Sequence, residues 1–177
     1  MPAFDIVSCT YERHAQAILE IFNDAILHST ALYDYQPWPF EAMTNWFKVK
    51  EGGPYPVIGA EEPGSGKLLG FATYGVFRSR PAYKYTIEHS VYVHGAHRGQ
   101  GIGTGLMQRL LTLAEHQGYH VVVGAIDQSN KASVGLHEKL GFEYAGTIRQ
   151  AGFKFGQWLD LAFYQLILKT PAQPVDG

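Results

Sequence analysis

With 177 residues, 46 % of them hydrophobic, 17 % charged and 14 % aromatic, the chain has the length of one ordinary domain and enough apolar surface to bury a sizeable core. A formal net charge of −2 leaves no electrostatic footprint for nucleic acid or a membrane surface, and no apolar run approaches the ~20 residues of a membrane span. The single cysteine, Cys9, excludes an internal disulfide framework, and MPAFDIVSCTYER lacks the basic-then-apolar pattern of a signal peptide, so a soluble cytoplasmic protein is expected.

In chain order, Thr10 is placed to cap a helix reaching about Leu27, with Glu12 in its first turn and Ile18, Leu19, Phe22, Ala25 and Ile26 on one face. The stretch HSTALYDYQPWPF is polar, aromatic and twice interrupted by proline, which suits no regular element. Residues 39–50 read as a second helix with Met43, Trp46 and Phe47 inward. YPVIGA and LLGFATYGVF read as strands joined by the turn EEPGSGK. YTIEHSVYV is a third strand, whose period of two puts Ile87, His89, Val91 and Val93 on one face and Thr86, Glu88, Ser90 and Tyr92 on the other.

A glycine loop, HRGQGIGTG, then opens a helix that Gly118 stops. HVVVGAI is a buried strand by its continuous apolar run, residues 130–140 form a short helix ended by Gly141, and FEYAGTI and QWLDLAFYQLIL are closing strands. Residues 171–177 are expected to form a disordered tail after a single domain over 1–170. The expected class is α/β of the α+β type, a mostly antiparallel sheet interrupted by helices.

The glycine loop is not a Walker phosphate loop, because no Lys-Ser or Lys-Thr closes it. Nor is it a Rossmann fingerprint, since its glycines alternate singly and it lies mid-chain. Arg98, Gly101 and Gly103 fit the pattern R/Q-x-x-G-x-G/A, in which glycines let the backbone approach a ligand and the amides of a helix start point at an anion. A pyrophosphate is the natural guest, with Arg98 adding a charge-assisted contact. A tight strand-to-helix turn is the plainer alternative, but one or two glycines would serve it.

SVYVHGAHRGQGIGTGLMQRLL resembles the acetyl-coenzyme A motif of the GNAT superfamily of N-acetyltransferases, and NKASVGLHEKLGF resembles its N-x-x-A-x-x-L-Y-x-K-x-G-F signature. YTIEHSVYV, HSTALYDYQPW and GFKFGQWLDLAFYQL extend the likeness to the phosphinothricin and methionine sulfoximine acetyltransferase branch, over nearly the whole chain. The resemblance implies a twisted central sheet with one splayed strand pair, and acetyl-CoA as co-substrate without a metal. Its pyrophosphate would lie on Arg98, Gly99, Gln100, Gly101, Ile102, Gly103 and Thr104, its pantetheine along Val91, Tyr92 and Val93, with Asn130 and Ser133 completing the site. A backbone N–H near Val91 or Tyr92 would hold the developing oxyanion.

Acetyl transfer to an amine needs a base for the amine and a way to release the thiolate. Glu88 is the expected base, acting directly or through one water; by position alone it reads first as a solvated strand glutamate or one paired with a nearby arginine, and the likeness of its strand to the branch favours the base. His137 stands where most of the superfamily has a Tyr acting as general acid, so it is the candidate donor to sulfur, or else a packing residue. Arg78 and Arg80 suit the carboxylate of an amino-acid-like acceptor, with Ser79, His89, Ser90 and Tyr33 as further acceptor-binding candidates.

His89, His94 and His97 lack the partners of a metal site, and Cys9 reads as a small packing residue, not a nucleophile. The expected reaction is direct attack of a small α-amine, of the phosphinothricin, methionine sulfoximine or methionine sulfone type, in a ternary complex. Protein N-termini, ordinary amino acids, or a non-catalytic acyl-CoA-binding role are the alternatives. Neither nucleic acid nor membrane is an expected partner; a homodimer is.

Overall fold

The computed structural model describes residues 4–176. Two units share the chain: one runs to residue 74 and resumes over 90–110, and the other takes 75–89 and the chain from 111 onward.

The first unit begins with β1 (Asp5–Ser8), which pairs antiparallel with β2 (Val57–Glu61) from Asp5↔Glu61 to Ser8↔Ile58. Helix α1 (Tyr11–His28) starts where expected: the Thr10 hydroxyl accepts from the Arg13 amide at 3.4 Å, and Ser29 closes the far end by donating to the Ala25 carbonyl at 2.7 Å. Its buried face is the predicted one, extended by His14, Ala15 and Ile21. Helix α2 (Glu41–Glu51) buries Met43 and Phe47 but leaves Trp46 half-buried.

These faces meet β2 and β3 (Leu68–Val76) around Phe22, whose ring centroid lies 4.9 Å from that of Phe71, 5.0 Å from Trp38 and 5.3 Å from Tyr92. Offset and edge-on rings at such spacings add stabilisation beyond their area burial. The aromatic content of the irregular segment is thus partly core: Trp38 packs on Phe22, while Tyr35 and Phe40 are exposed.

Strand β4 (Thr86–Val93) carries the chain from the second unit into the first. In the first unit its end lies against Gly70 of β3, where a Cβ would stand 2.8 Å from the Tyr92 carbonyl oxygen and 3.2 Å from the Val93 Cα. In the second unit β4 pairs in parallel with β5 (Val121–Asp127) from Thr86↔Val121 to Glu88↔Val123. Helix α3 (Ile102–His116) ends at Gly118 (φ +76°), as its glycine signals.

Helix α4 (Lys131–Lys139) is capped by the Asn130 side chain, which accepts from the Ser133 amide at 3.1 Å, and ends before Gly141 (φ +85°). Strands β6 (Glu143–Lys154) and β7 (Gln157–Ile167) form a hairpin, and β7 pairs in turn with β5. The resulting strand order is β1-β2-β3-β4-β5-β7-β6. The sheet is mixed, with β4–β5 parallel against antiparallel β1–β2, β2–β3, β5–β7 and β6–β7 ladders. Beyond β7, Val175 donates its amide to the Tyr85 hydroxyl at 3.1 Å.

One strand was not expected, and another is longer than expected. The edge strand β1 has only Ile6 and Val7 as apolar residues. Strand β6 runs six residues past the predicted Ile148 because Phe155 (φ 51°) and Gly156 (φ 74°) make a two-residue turn with both φ positive, the geometry that matches hairpin twist.

Because Gly70 meets backbone on β4, Gly70→Ala is expected to cost about 1–3 kcal/mol of stability. A urea titration reads this directly; an unchanged midpoint would mean that β4 yields at that point.

Candidate functional site

Two groups of expected site residues lie in different units. In the first unit, His94 follows β4 and turns the chain by accepting from the Ala96 amide at 3.2 Å. Arg98 is exposed and donates Nε–H to the Val93 carbonyl at 3.4 Å. Gly99 (φ +76°) and Gly101 (φ +80°) follow, and a Cβ at either would meet nothing within 4 Å. These glycines therefore supply backbone conformation and an open surface.

The first intrahelical bond of α3 runs from the Gly105 amide to the Gly101 carbonyl at 3.0 Å, so the amides of Ile102, Gly103 and Thr104 precede the helical ladder. These donors sit at the positive end of a fifteen-residue helix, beside an exposed guanidinium. That arrangement fits a diphosphate. Gly105 has a different task, since a Cβ there would come within 2.8 Å of the Phe4 ring. Gly99 and Gly101 thus leave an open surface, whereas Gly105 serves packing.

In the second unit, β4 presents Glu88 on one face and buries Ile87 and His89 on the other, the alternation predicted from sequence. Glu88 is half-buried, and loss of water pushes its carboxyl above the usual value while the Arg78 guanidinium partly offsets the rise. Arg78, Ser79 and Arg80 are all exposed; Arg78 donates to the Phe77 carbonyl at 3.1 Å and lies 4.5 Å over the Phe77 ring. Tyr33 belongs to the first unit, in the segment between α1 and α2.

His137 is buried, with Nδ1 2.7 Å from the Ser133 carbonyl and Nε2 2.8 Å from Nε2 of His89. A carbonyl only accepts, so Nδ1 of His137 carries the proton. Nε2 of a neutral His137 then accepts, and His89 donates through Nε2–H. Burial depresses both rings, His89 to about 3, with the neighbouring His137 adding to the effect on His89. Each ring is neutral at pH 7.

This arrangement bears on the sulfur-donor role expected of His137. Its only N–H is spent on Ser133, and its other nitrogen receives the His89 proton. His89, expected among the acceptor contacts, is instead packed against His137 and Phe142. Asn130 and Ser133, expected to touch the cofactor, use the Asn130 side-chain oxygen and the Ser133 amide to cap α4.

Sequence reasoning missed Gly124 on β5, where a Cβ would fall 2.8 Å from Nε2 of both histidines. A lone glycine inside an apolar strand run was the available signal. Cys9 is half-buried, and burial together with the Glu61 carboxylate pushes its thiol up to about 12, the opposite of an activated nucleophile. Among the described residues no three His, Cys, Asp or Glu side chains group as metal ligands, and no helix is long and apolar enough to cross a membrane.

Residues 16–142 match the acetyltransferase (GNAT) family. The chain is 42 % identical over 158 residues to the L-methionine sulfoximine/L-methionine sulfone acetyltransferase of Salmonella typhimurium, covering 89 % of this chain and 91 % of that one. It is 41 % identical over 158 residues to an L-amino acid N-acyltransferase of Escherichia coli K12, covering 89 % of this chain and 91 % of that one. A GNAT superfamily phosphinothricin acetyltransferase of Sinorhizobium meliloti, solved in complex with acetyl-CoA, superimposes with a TM-score of 0.91 at 31 % identity over 97 % of this chain and 92 % of that one.

The neutral pair makes a signed prediction. Both histidines bind protons more weakly when folded than at the ordinary value of 6.5, so the unfolded chain takes up more protons below that pH. Their cost is absent above about pH 7 and grows on acidification, by at most ~1.4 kcal/mol per pH unit for each ring. Denaturant midpoints from about pH 7.5 to 5 should fall, and the double replacement His89→Gln/His137→Gln should flatten that slope. An equally steep fall in the double variant would assign it to other groups.

Proposed function

The chain belongs to the acetyltransferase (GNAT) family and is an acetyl-CoA-dependent N-acetyltransferase; from that premise we propose that its acceptor is the α-amine of a small amino-acid-like molecule, of the methionine sulfoximine, methionine sulfone or phosphinothricin type. When bound, acetyl-CoA supplies an acetyl group activated as a thioester. The amides of Ile102, Gly103 and Thr104, with Arg98, hold its diphosphate, and the backbone of Val91–Val93 offers strand-like pairing to its arm. A β4 amide near Val91 or Tyr92 stabilises the oxyanion.

Glu88 carries this reading. It lies on the same strand as Val91, three residues earlier and thus about 10 Å along the strand. A free α-amine has a reference pKa near 8 and must shed a proton to attack. A carboxylate raised by desolvation is better matched to take that proton than an exposed one, and the Arg78 guanidinium partly offsets the rise. Arg78 and Arg80, exposed beside this strand, suit the acceptor's carboxylate. In this reading His137 orients and braces, and the thiolate leaves without a proton from its ring.

The E. coli relative favours a second reading, ordinary L-amino acids as acceptors. A cytoplasmic homodimer is also proposed; the exposed Phe153, Phe155 and Trp158 of the β6–β7 hairpin support self-association, which light scattering would test.

The deciding experiment is acetyl-CoA-dependent thiol release with methionine sulfoximine, methionine sulfone, phosphinothricin and common amino acids. Preference for the first three supports the proposal; selective turnover of ordinary amino acids supports the second reading. Glu88→Gln should lower kcat about 10²–10⁴-fold with little change in coenzyme affinity and should abolish the acid limb of kcat/KM. That limb is expected above 4.5, the ordinary carboxylate value, because burial raises the Glu88 carboxyl. Arg80→Ala should act mainly by raising KM for the acceptor.

A further inference from the structure

Helix α2 buries Met43 and Phe47 on one side and on another, with the segment before it, lines a cavity of about 490 Å³. Trp38, Ala42, Trp46 and Val49 give this cavity apolar walls, and among the described residues Lys50 is the only charged one lining it. We propose that Lys50 is an acylation site, at which the protein's own co-substrate class, a thioester, modifies the amine of a lysine that lines an apolar cavity.

The geometry is specific to this lysine. Its Nζ donates to the Tyr74 carbonyl of β3 at 2.9 Å and lies 5.6 Å from the Trp46 ring centroid and 5.8 Å from that of Tyr55. No carboxylate lies within ion-pairing distance among the described residues. Tyr55, from the segment after α2, is the only titratable side chain these contacts set against the amine; β3 contributes a carbonyl, and α2 the Trp46 ring. One N–H is therefore anchored while the rest of the amine faces aromatic surface.

Burial alone, with no charged neighbour contributing, lowers this amine to about 8 from the ordinary 10.5. At about pH 7.5 that leaves about 0.2 of Lys50 neutral, against about 0.001 of an ordinary lysine. The neutral nitrogen attacks the thioester carbonyl carbon; the N–C bond forms, the C–S bond breaks, the nitrogen's surplus proton passes to solvent, and the thiolate takes up a proton as free thiol. The amide N–H can keep the bond to Tyr74, while the positive charge and its attraction to Trp46 and Tyr55 are lost.

The modification needs only a thioester in solution and is independent of which amine the enzyme acetylates. The test incubates the protein with acetyl-CoA at about pH 7.5 and follows each lysine by peptide mass spectrometry, with exposed Lys48, on the same helix, as internal reference. Lys50 is expected to gain an acetyl group about ten-fold faster than Lys48, because the weaker nucleophilicity of a less basic amine offsets most of its roughly 200-fold larger neutral fraction, and its rate should be half-maximal near pH 8. Lys50→Arg should lose that product while retaining wild-type turnover of small amines. Modification of Lys50 no faster than Lys48 would overturn the proposal and leave the acceptor assignment untouched. The acceptor panel can fail in its turn without altering the Lys50 result.

Discussion

Strand β4 must bury one face and keep the other partly open, and the proposed site rests on that alternation. A period of two lets Ile87 and His89 sink into the second unit while Glu88, between them in sequence, stays half-hydrated. A slip of one residue would exchange a neutral buried imidazole for a buried carboxylate, which is expensive unless paired. Register is pinned by the parallel ladder to β5 at one end and by the close approach of Gly70 at the other. The basicity of Glu88 is thus a by-product of where the strand must lie.

The His89–His137 contact makes the same point with neutral groups. Two imidazoles share one hydrogen bond above a glycine because no larger residue at position 124 leaves room for them. The Ser133 carbonyl sets the tautomer of the first ring, and that ring sets the second. The pair joins β4 and α4 above β5 by a directional link that apolar packing alone would not supply. It leaves Nδ1 of His89 buried without a hydrogen-bond partner among the described residues.

Much of this was legible from local patterns. Thr10 announced α1, the run VVVGAI announced β5, Gly118 and Gly141 marked helix ends, and the alternation of YTIEHSVYV assigned both faces of β4. What could not be read depends on partners distant in sequence. Strand β1 is a strand because β2 lies beside it, not because DIVS demands it. The second half of β6 is largely exposed, held by a turn at Phe155–Gly156 and by Asp160 accepting from the Gln150 amide at 2.8 Å. For His137 the sequence left a proton donor and a packing residue both open, because a single position carries no record of the ring 48 residues away that it bonds. Nothing in the sequence singles out Lys50, because Trp46, Tyr55 and the Tyr74 carbonyl meet around its amine only in the folded chain.

Gly99 and Gly101 combine positive φ with empty space where a side chain would project. An L-alanine at either position would clash with nothing across the fold and still be disfavoured, because the obstacle is the handedness of the α-carbon and not crowding. A residue of opposite chirality has the reverse preference. Chemical synthesis with D-alanine at these two positions would match the backbone's own bias, stiffening the loop in the shape it already holds.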